Sequence, residues 1–172
     1  MELRVAKTAG FCFGVARALD MVEACAAEPD KTYHTLGPII HNKHVVDELA
    51  QRGISPVDAV DMVGQSENLI VRTHGVGKSV YDEMESRGIG VVDVTCPFVK
   101  KIHNIVEKHH REGYAIVIVG DKNHPEVRGI NGWCENAAVI LATEEEAKKA
   151  KFGEKPVCVV SQTTFVQNIF FY

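Results

Sequence analysis

The stretch at residues 90–120, GVVDVTCPFVKKIHNIVEKHHREGYAIVIVG, decides the fold. GVVDVTCP opens with a short β-branched run that predicts a strand. FVKKIHNIVEKHHREG then sets Val99, Ile102, Ile105 and Val106 on one stripe of a long helix. YAIVIVG returns to an unbroken apolar run, the pattern of a strand buried on both faces. Strand, helix and strand in this order predict parallel pairing.

The same alternation extends outward. Upstream, GVARALDMVEACAA lines up Val15, Ala18, Leu19, Val22 and Cys25 at a 3.6-residue period, and TYHTLG follows. KHVVDELAQRG and KSVYDEMESRG predict helices closed by Gly53 and Gly88, with the strand LIVRTHG between them. Downstream, AAVILA and KPVCVVSQTT predict strands around TEEEAKKA, where Thr143 and Glu146 have capping-box spacing. The expectation is an α/β protein: two tandem small domains, each roughly β-α-β-α-β, with parallel sheets covered on both faces. The first domain spans 1–97, including an N-terminal strand and the loop around Cys12, and the second spans 98–172. The final SQTTFVQNIFFY reads as the first turns of a further helix, so the second domain is expected to be truncated.

Composition excludes several classes of function. A net charge of −4 gives no basis for a nucleic-acid or anionic-membrane partner. The N-terminus lacks the apolar core of a signal peptide, and no run could span a bilayer, which suggests a cytoplasmic protein. Five cysteines, with no C-x-x-C pair, argue against both a disulfide framework and a zinc ribbon.

Polar residues cluster just after the expected strands: His74, Cys96, His124 with Glu126, and Thr163. Ligands bind at such strand ends in open parallel sheets. Cys12 and Cys96 each start a helix, where the dipole and free N–H groups favour an anionic sulfur. Gly10 and Gly14 leave room beside Cys12. Each thiol is equally compatible with a small buried apolar residue, and Cys25, Cys134 and Cys158 are assigned to the core or to structural positions. His41 and His44 have the i, i+3 spacing of a metal-binding pair, although an exposed His44 is the simpler reading. His34 and His103 have no distinguishing context, and His109 and His110 read as solvated. His124 and Glu126 place an imidazole and a carboxyl on one turn, which suits proton transfer and also an ordinary surface turn.

Taken together, AGFCFGVARALD, LGPIIHN, VRTHGV, VDVTCPFV, GDKNHPEVRGINGW and VSQTT appear in the order found in the LytB/IspH family, which this chain resembles from residue 1 to about 165. That resemblance implies a 4-hydroxy-3-methylbut-2-enyl diphosphate reductase acting at the last step of the non-mevalonate isoprenoid pathway. It would have a three-domain fold and an electron donor such as ferredoxin or flavodoxin. It also implies a [4Fe-4S] cluster held by three cysteines, of which Cys12 and Cys96 match two; the third ligand is missing from this chain. His41, His74 and His124 match residues that hold the diphosphate, and Glu126 matches the acid of a proton-delivery network. Thr163 matches a threonine beside the substrate, with Thr164 adjacent. The chain alone is therefore expected to be inactive. Two alternatives stand beside this reading: a truncated diphosphate- or partner-binding protein without redox activity, and a zinc hydrolase using His41, His44 and His124 with Glu126.

Overall fold

The structure, a computed structural model, describes residues 2–165. It contains two parallel-sheet α/β units. The first holds α1 (Phe13–Ala26), β1 (Tyr33–Leu36), α2 (Lys43–Gln51), β2 (Ser55–Val57), β3 (Asn68–Val71), α3 (Lys78–Ser86) and β4 (Gly90–Asp93). Its strands lie in the order β2-β1-β3-β4, all parallel, with Ile70 opposite Thr35 on one side and Val92 on the other. The second holds α4 (Pro97–Arg111), β5 (Ala115–Val119), α5 (Pro125–Asn131), β6 (Val139–Leu141), α6 (Glu144–Lys149) and β7 (Val157–Ser161), with strand order β6-β5-β7.

Alternation along β3 explains the layering. Ile70 points into a core built with Ala18, Val22 and Leu49 from α1 and α2. Its neighbours Leu69 and Val71 point the other way, toward Met84 of α3. All three β3 residues are fully buried, each contributing roughly 1.5–3 kcal/mol by the area removed from water. Gly53 and Gly88 close α2 and α3 in the left-handed region, at φ +87° and +67°, as expected of helix-ending glycines. The Thr143–Glu146 capping box also forms.

The second sheet departs from the expectation of two covered faces. One face packs on Val106, Val127 and Ile130 of α4 and α5. On the other, Val157 and Val159 of β7 are 38% and 59% exposed. The reason is that α6 is a six-residue helix with no buried side chain, set against β6. Nor does the expected N-terminal strand form. Residues 2–12 pair with no strand, and Leu3 and Val5 are 78% and 74% exposed, so their side chains gain no burial to offset the cost of ordering a strand. Two elements were not legible in the sequence. β2 is a three-residue edge strand containing Pro56, and α5 is seven residues long and begins at a proline. The helix expected beyond Thr164 falls largely outside the described residues, at 166–172. Among the described residues no helix is long and apolar enough to cross a membrane.

The two units meet backbone to backbone. A Cβ on Gly132 would lie 2.5 Å from the Cα of Gly77, and a Cβ on Gly129 would lie 3.3 Å from the Gly75 carbonyl oxygen. Trp133 Nε1 donates to the Val76 carbonyl across the same seam at 2.9 Å. His103 of α4 is buried beneath it, stacked on Trp133 at 5.2 Å, with Cε1 2.5 Å from where a Gly75 Cβ would stand. The seam predicts position-specific glycine sensitivity. Gly132→Ala should cost about 1–3 kcal/mol in urea denaturation by forcing the loops apart. Gly64→Ala, whose new Cβ would meet ordinary contacts at 3.5 Å, should stay within about 0.5 kcal/mol. Equal effects at both positions would contradict a load carried by the seam.

Candidate functional site

Each singled-out residue sits at the C-terminal end of a strand or at a helix start, as open parallel sheets require. The loop after β1 carries His41, the loop after β3 carries His74, and β4 leads through Thr95 into Cys96. From the second unit, the loop after β5 ends at His124, and β7 leads into Thr163. Backbone bonds tie these loops together. Cys96 N donates to the Thr73 carbonyl at 3.0 Å, and Thr73 Oγ1 donates to the Ile39 carbonyl at 3.1 Å. Gln162, which the sequence reading did not single out, accepts from Asp121 N at 3.1 Å and so joins the loops after β5 and β7.

Three imidazoles converge across the seam. The ring centroids of His41 and His74 lie 4.6 Å apart, those of His41 and His124 5.6 Å, and those of His74 and His124 5.4 Å. One ring nitrogen from each falls within 4.8 Å of the others. Burial, then the neighbouring His41, Arg72 and His124, push the His74 pKa down from 6.5 to about 4. Burial is also the chief cause that lowers His124. His44 is exposed and lies outside this group, so the His41–His44 metal pair does not form part of it. Three imidazoles could hold a divalent cation, but Arg72 acts on two of them, the Glu126 and Asp121 carboxylates act on His124 alone, and among the described residues no carboxylate joins the three nitrogens. That environment favours an anion.

His124 is the N-cap of α5, its Nδ1 accepting from Glu126 N at 3.2 Å. The cap turns Glu126 inward, where it is 1% exposed. Its two carboxyl oxygens accept from Thr163 N at 2.6 Å and Thr163 Oγ1 at 2.8 Å. Thr164 bonds elsewhere, its hydroxyl accepting from Gln162 Nε2 at 2.9 Å, so Thr163 is the threonine that meets the acid. What looked equally like a surface turn is a buried carboxyl held from across the sheet.

On the far side of Thr163 lies a cavity of about 870 Å³, within the ordinary range of ligand sites. It is lined by Cys12, Cys96, Phe13, Phe98, Ile102 and Thr163, among others. Cys12 caps α1 and Cys96 caps α4, so two helix N-termini point into one apolar space. Gly14 does not leave open room there. A Cβ at Gly14 would come 2.7 Å from Cys96 Sγ, so the missing side chain is what lets that sulfur approach the start of α1. Both thiols are free, whereas Cys25, Cys134 and Cys158 are buried in the separate cores. The donor set therefore suits two corners of a thiolate-bound cluster, and among the described residues no third cysteine reaches the cavity.

Two further histidine expectations are revised. His103 is a fully enclosed residue whose pKa burial pushes down to about 4, and its context escaped notice because Trp133 lies thirty positions away. His109 is half-buried, with Nδ1 2.8 Å from the Ile105 carbonyl oxygen.

Comparison with known proteins adds a consistent picture. A sequence model of the LytB protein family matches residues 3–171. The 4-hydroxy-3-methylbut-2-enyl diphosphate reductase of Clostridioides difficile (strain 630) is 44% identical over 171 residues, covering 99% of this chain and 61% of that protein. The reductase of the same name from Caldanaerobacter subterraneus subsp. tengcongensis is 48% identical, covering 98% and 59%. Among solved structures, the E-1-hydroxy-2-methyl-but-2-enyl-4-diphosphate reductase of Plasmodium falciparum superposes with a TM-score of 0.88 at 29% identity, covering 95% of this chain and 52% of that one. The chain thus spans about three-fifths of the length of the curated relatives it matches.

The depressed histidines set the direction of a pH effect. His74 and His103 have folded-state values near 4 against 6.5 when unfolded, so the unfolded chain takes up protons first. The stability they contribute is present above pH 6.5 and is lost as pH falls toward 4. Urea midpoints measured between those values should fall with acidification, and less steeply in His103→Asn. A slope unchanged by that substitution would contradict the assignment of His103.

Proposed function

This chain belongs to the LytB protein family, and from that premise we propose that it supplies the cysteine, histidine and proton-relay part of a 4-hydroxy-3-methylbut-2-enyl diphosphate reductase. The reaction is a two-electron, two-proton reductive dehydroxylation. The allylic hydroxyl leaves as water, and isopentenyl and dimethylallyl diphosphates form. The observation that carries the reading is the Glu126–Thr163 link, which joins a thiol-lined apolar cavity to a three-histidine cluster.

Each compartment suits one end of such a substrate. His41, His74 and His124 would hold the diphosphate. An anion about 4 Å from a ring contributes about 4 kcal/mol at an effective dielectric of 20, or roughly three pKa units. That exceeds the fall of His74 from 6.5 to about 4, so the ligand would restore the proton that burial removes. Cys12 and Cys96 would hold two irons of a [4Fe-4S] cluster. When bound, the cluster supplies electrons one at a time and a Lewis-acidic iron for the leaving hydroxyl. Glu126 would hold the proton, and Thr163 Oγ1, which also lines the cavity, would pass it from the buried carboxyl to the reacting end. Phe13 and Phe98 would limit water at that end.

We place the division between the units at residues 97–98, giving domains 1–97 and 98–172. A one-electron carrier such as ferredoxin or flavodoxin would feed the cluster. Five unpaired thiols fit a reducing compartment such as the cytoplasm.

The test is anaerobic purification of a full-length reductase carrying this segment, with iron and sulfide counts, followed by turnover driven by reduced viologen. Cys12→Ser and Cys96→Ser should lose most of the iron and its brown absorbance. Glu126→Gln should keep the iron while turnover drops about a hundredfold or more. Normal iron binding with both cysteines replaced would refute the ligand assignment, and a fully active Glu126→Gln would refute the relay.

A further inference from the structure

Arg72 follows β3 directly and precedes His74 by two positions. Arg4, Arg52, Arg87 and Arg111 each have a carboxylate within ion-pair distance. Arg72 forms no ion pair among the described residues, and its buried Nε makes no hydrogen bond. The one charge that acts on it is Arg128, another cation. Its guanidinium lies against Gly37, where φ is +69° and a Cβ would collide with Nη1. Gly37 opens the loop that ends in His41, so this side chain bridges the loops delivering His41 and His74. Its field also reaches His124, across the seam.

A half-buried guanidinium beside a second cation and near the imidazoles of His74 and His124 is unfavourable unless something answers its charge. Packing of its methylenes would explain a burial site but not the missing acid. The three imidazoles converge on one small region; Glu126 and Asp121 act on His124, but among the described residues no carboxylate acts on Arg72. We infer that Arg72 is a further ligand-binding residue of this site, a cation held without an acidic partner so that the phosphate oxygens of a diphosphate supply its counter-charge. The inference rests on the diphosphate reading above. It assigns to Arg72 a fork of donors that point charges cannot replace and that matches phosphate geometry.

The consequence is an opposition of stability and binding. Without ligand, replacing an unanswered buried charge by an apolar chain of similar shape relieves the protein, whereas with ligand it removes a charge-assisted bond. The experiment uses inorganic pyrophosphate as probe, with calorimetry and thermal melting at low salt on the 172-residue chain. Arg72→Met should melt at or above the wild-type temperature without ligand and bind pyrophosphate about tenfold more weakly or worse. Arg72→Lys should fall between the two. If Arg72→Met binds as the wild type does while His74→Asn loses binding, the site reading stands and the role of Arg72 is wrong. If the wild type itself shows no pyrophosphate binding, the diphosphate reading fails, and this inference with it. An Arg72→Met chain that melts lower or does not fold makes the arginine structural and overturns the proposal.

Discussion

Everything in this molecule that resembles a site depends on two stretches of backbone touching without side chains between them. Gly77 and Gly132 approach so closely that a Cβ on Gly132 would lie 2.5 Å from the Gly77 Cα, and Gly129 packs tightly on the Gly75 carbonyl, where a Cβ would stand at 3.3 Å. Two parallel sheets in tandem would otherwise present their strand ends to solvent separately. The glycine seam turns them toward each other, and His74, beside Gly75, comes within 5.4 Å of His124, just before α5. The Trp133–Val76 hydrogen bond and the His103 stack then fill the space beneath the seam and hold its register. Close packing of this kind tolerates little, since an added methyl has nowhere to go.

The second organising feature is a separation of charge. The chain as a whole carries −4, yet Arg72 acts on both His74 and His124, with Arg128 acting on Arg72 in turn. A few ångströms away the cavity around Cys12 and Cys96 is lined mainly by apolar side chains. Between them stands Glu126, fully enclosed, its carboxyl accepting from the backbone N–H and hydroxyl of Thr163. A cationic pocket beside an apolar, thiol-lined one is arranged for a molecule that is anionic at one end and apolar at the other. Low dielectric around the histidines strengthens the attraction for the anionic end, because burial that makes a lone imidazolium unfavourable also leaves less water to screen a bound phosphate.

Much of this was legible in the chain, and the failures have physical causes. The long helix at Pro97–Arg111 and the apolar strands announced themselves by period, since burial on both faces of β3 and β5 leaves an unbroken apolar run. Cys96, His74, His124, Glu126 and Thr163 could be singled out as polar side chains just after apolar runs and Cys12 and His41 as residues at helix starts, while their roles came only from the family resemblance. The three-residue β2 was lost because it is too short to show a period, and α5 because Pro125 reads as a turn as readily as a first helical residue. The expected N-terminal strand failed for a different reason: local propensity was present, but Leu3 and Val5 stay exposed, and propensity without burial does not order a strand. His103, Arg72 and Gln162 escaped because their meaning lies wholly in tertiary neighbours. A buried imidazole, an unanswered guanidinium and an amide joining two loops leave no local pattern.

The distribution of tasks among residues has a mechanical consequence. The three apolar cores contain none of the site residues; Cys25, Cys134 and Cys158 belong to cores, whereas Cys12 and Cys96 do not. The loops of the first unit are fixed mostly by backbone bonds, Thr73 to Ile39 and Cys96 to Thr73, so the reactive side chains are positioned without themselves carrying the fold. Cys12 and His41, both exposed, can be exchanged with modest effect on stability, whereas His124 caps α5 and the buried Glu126 holds Thr163, so changes there cost stability too. At the seam glycines stability and geometry likewise pass through the same atoms. Pressure for stability and pressure for function therefore act together at the seam and at the His124–Glu126 turn, and separately at Cys12 and His41.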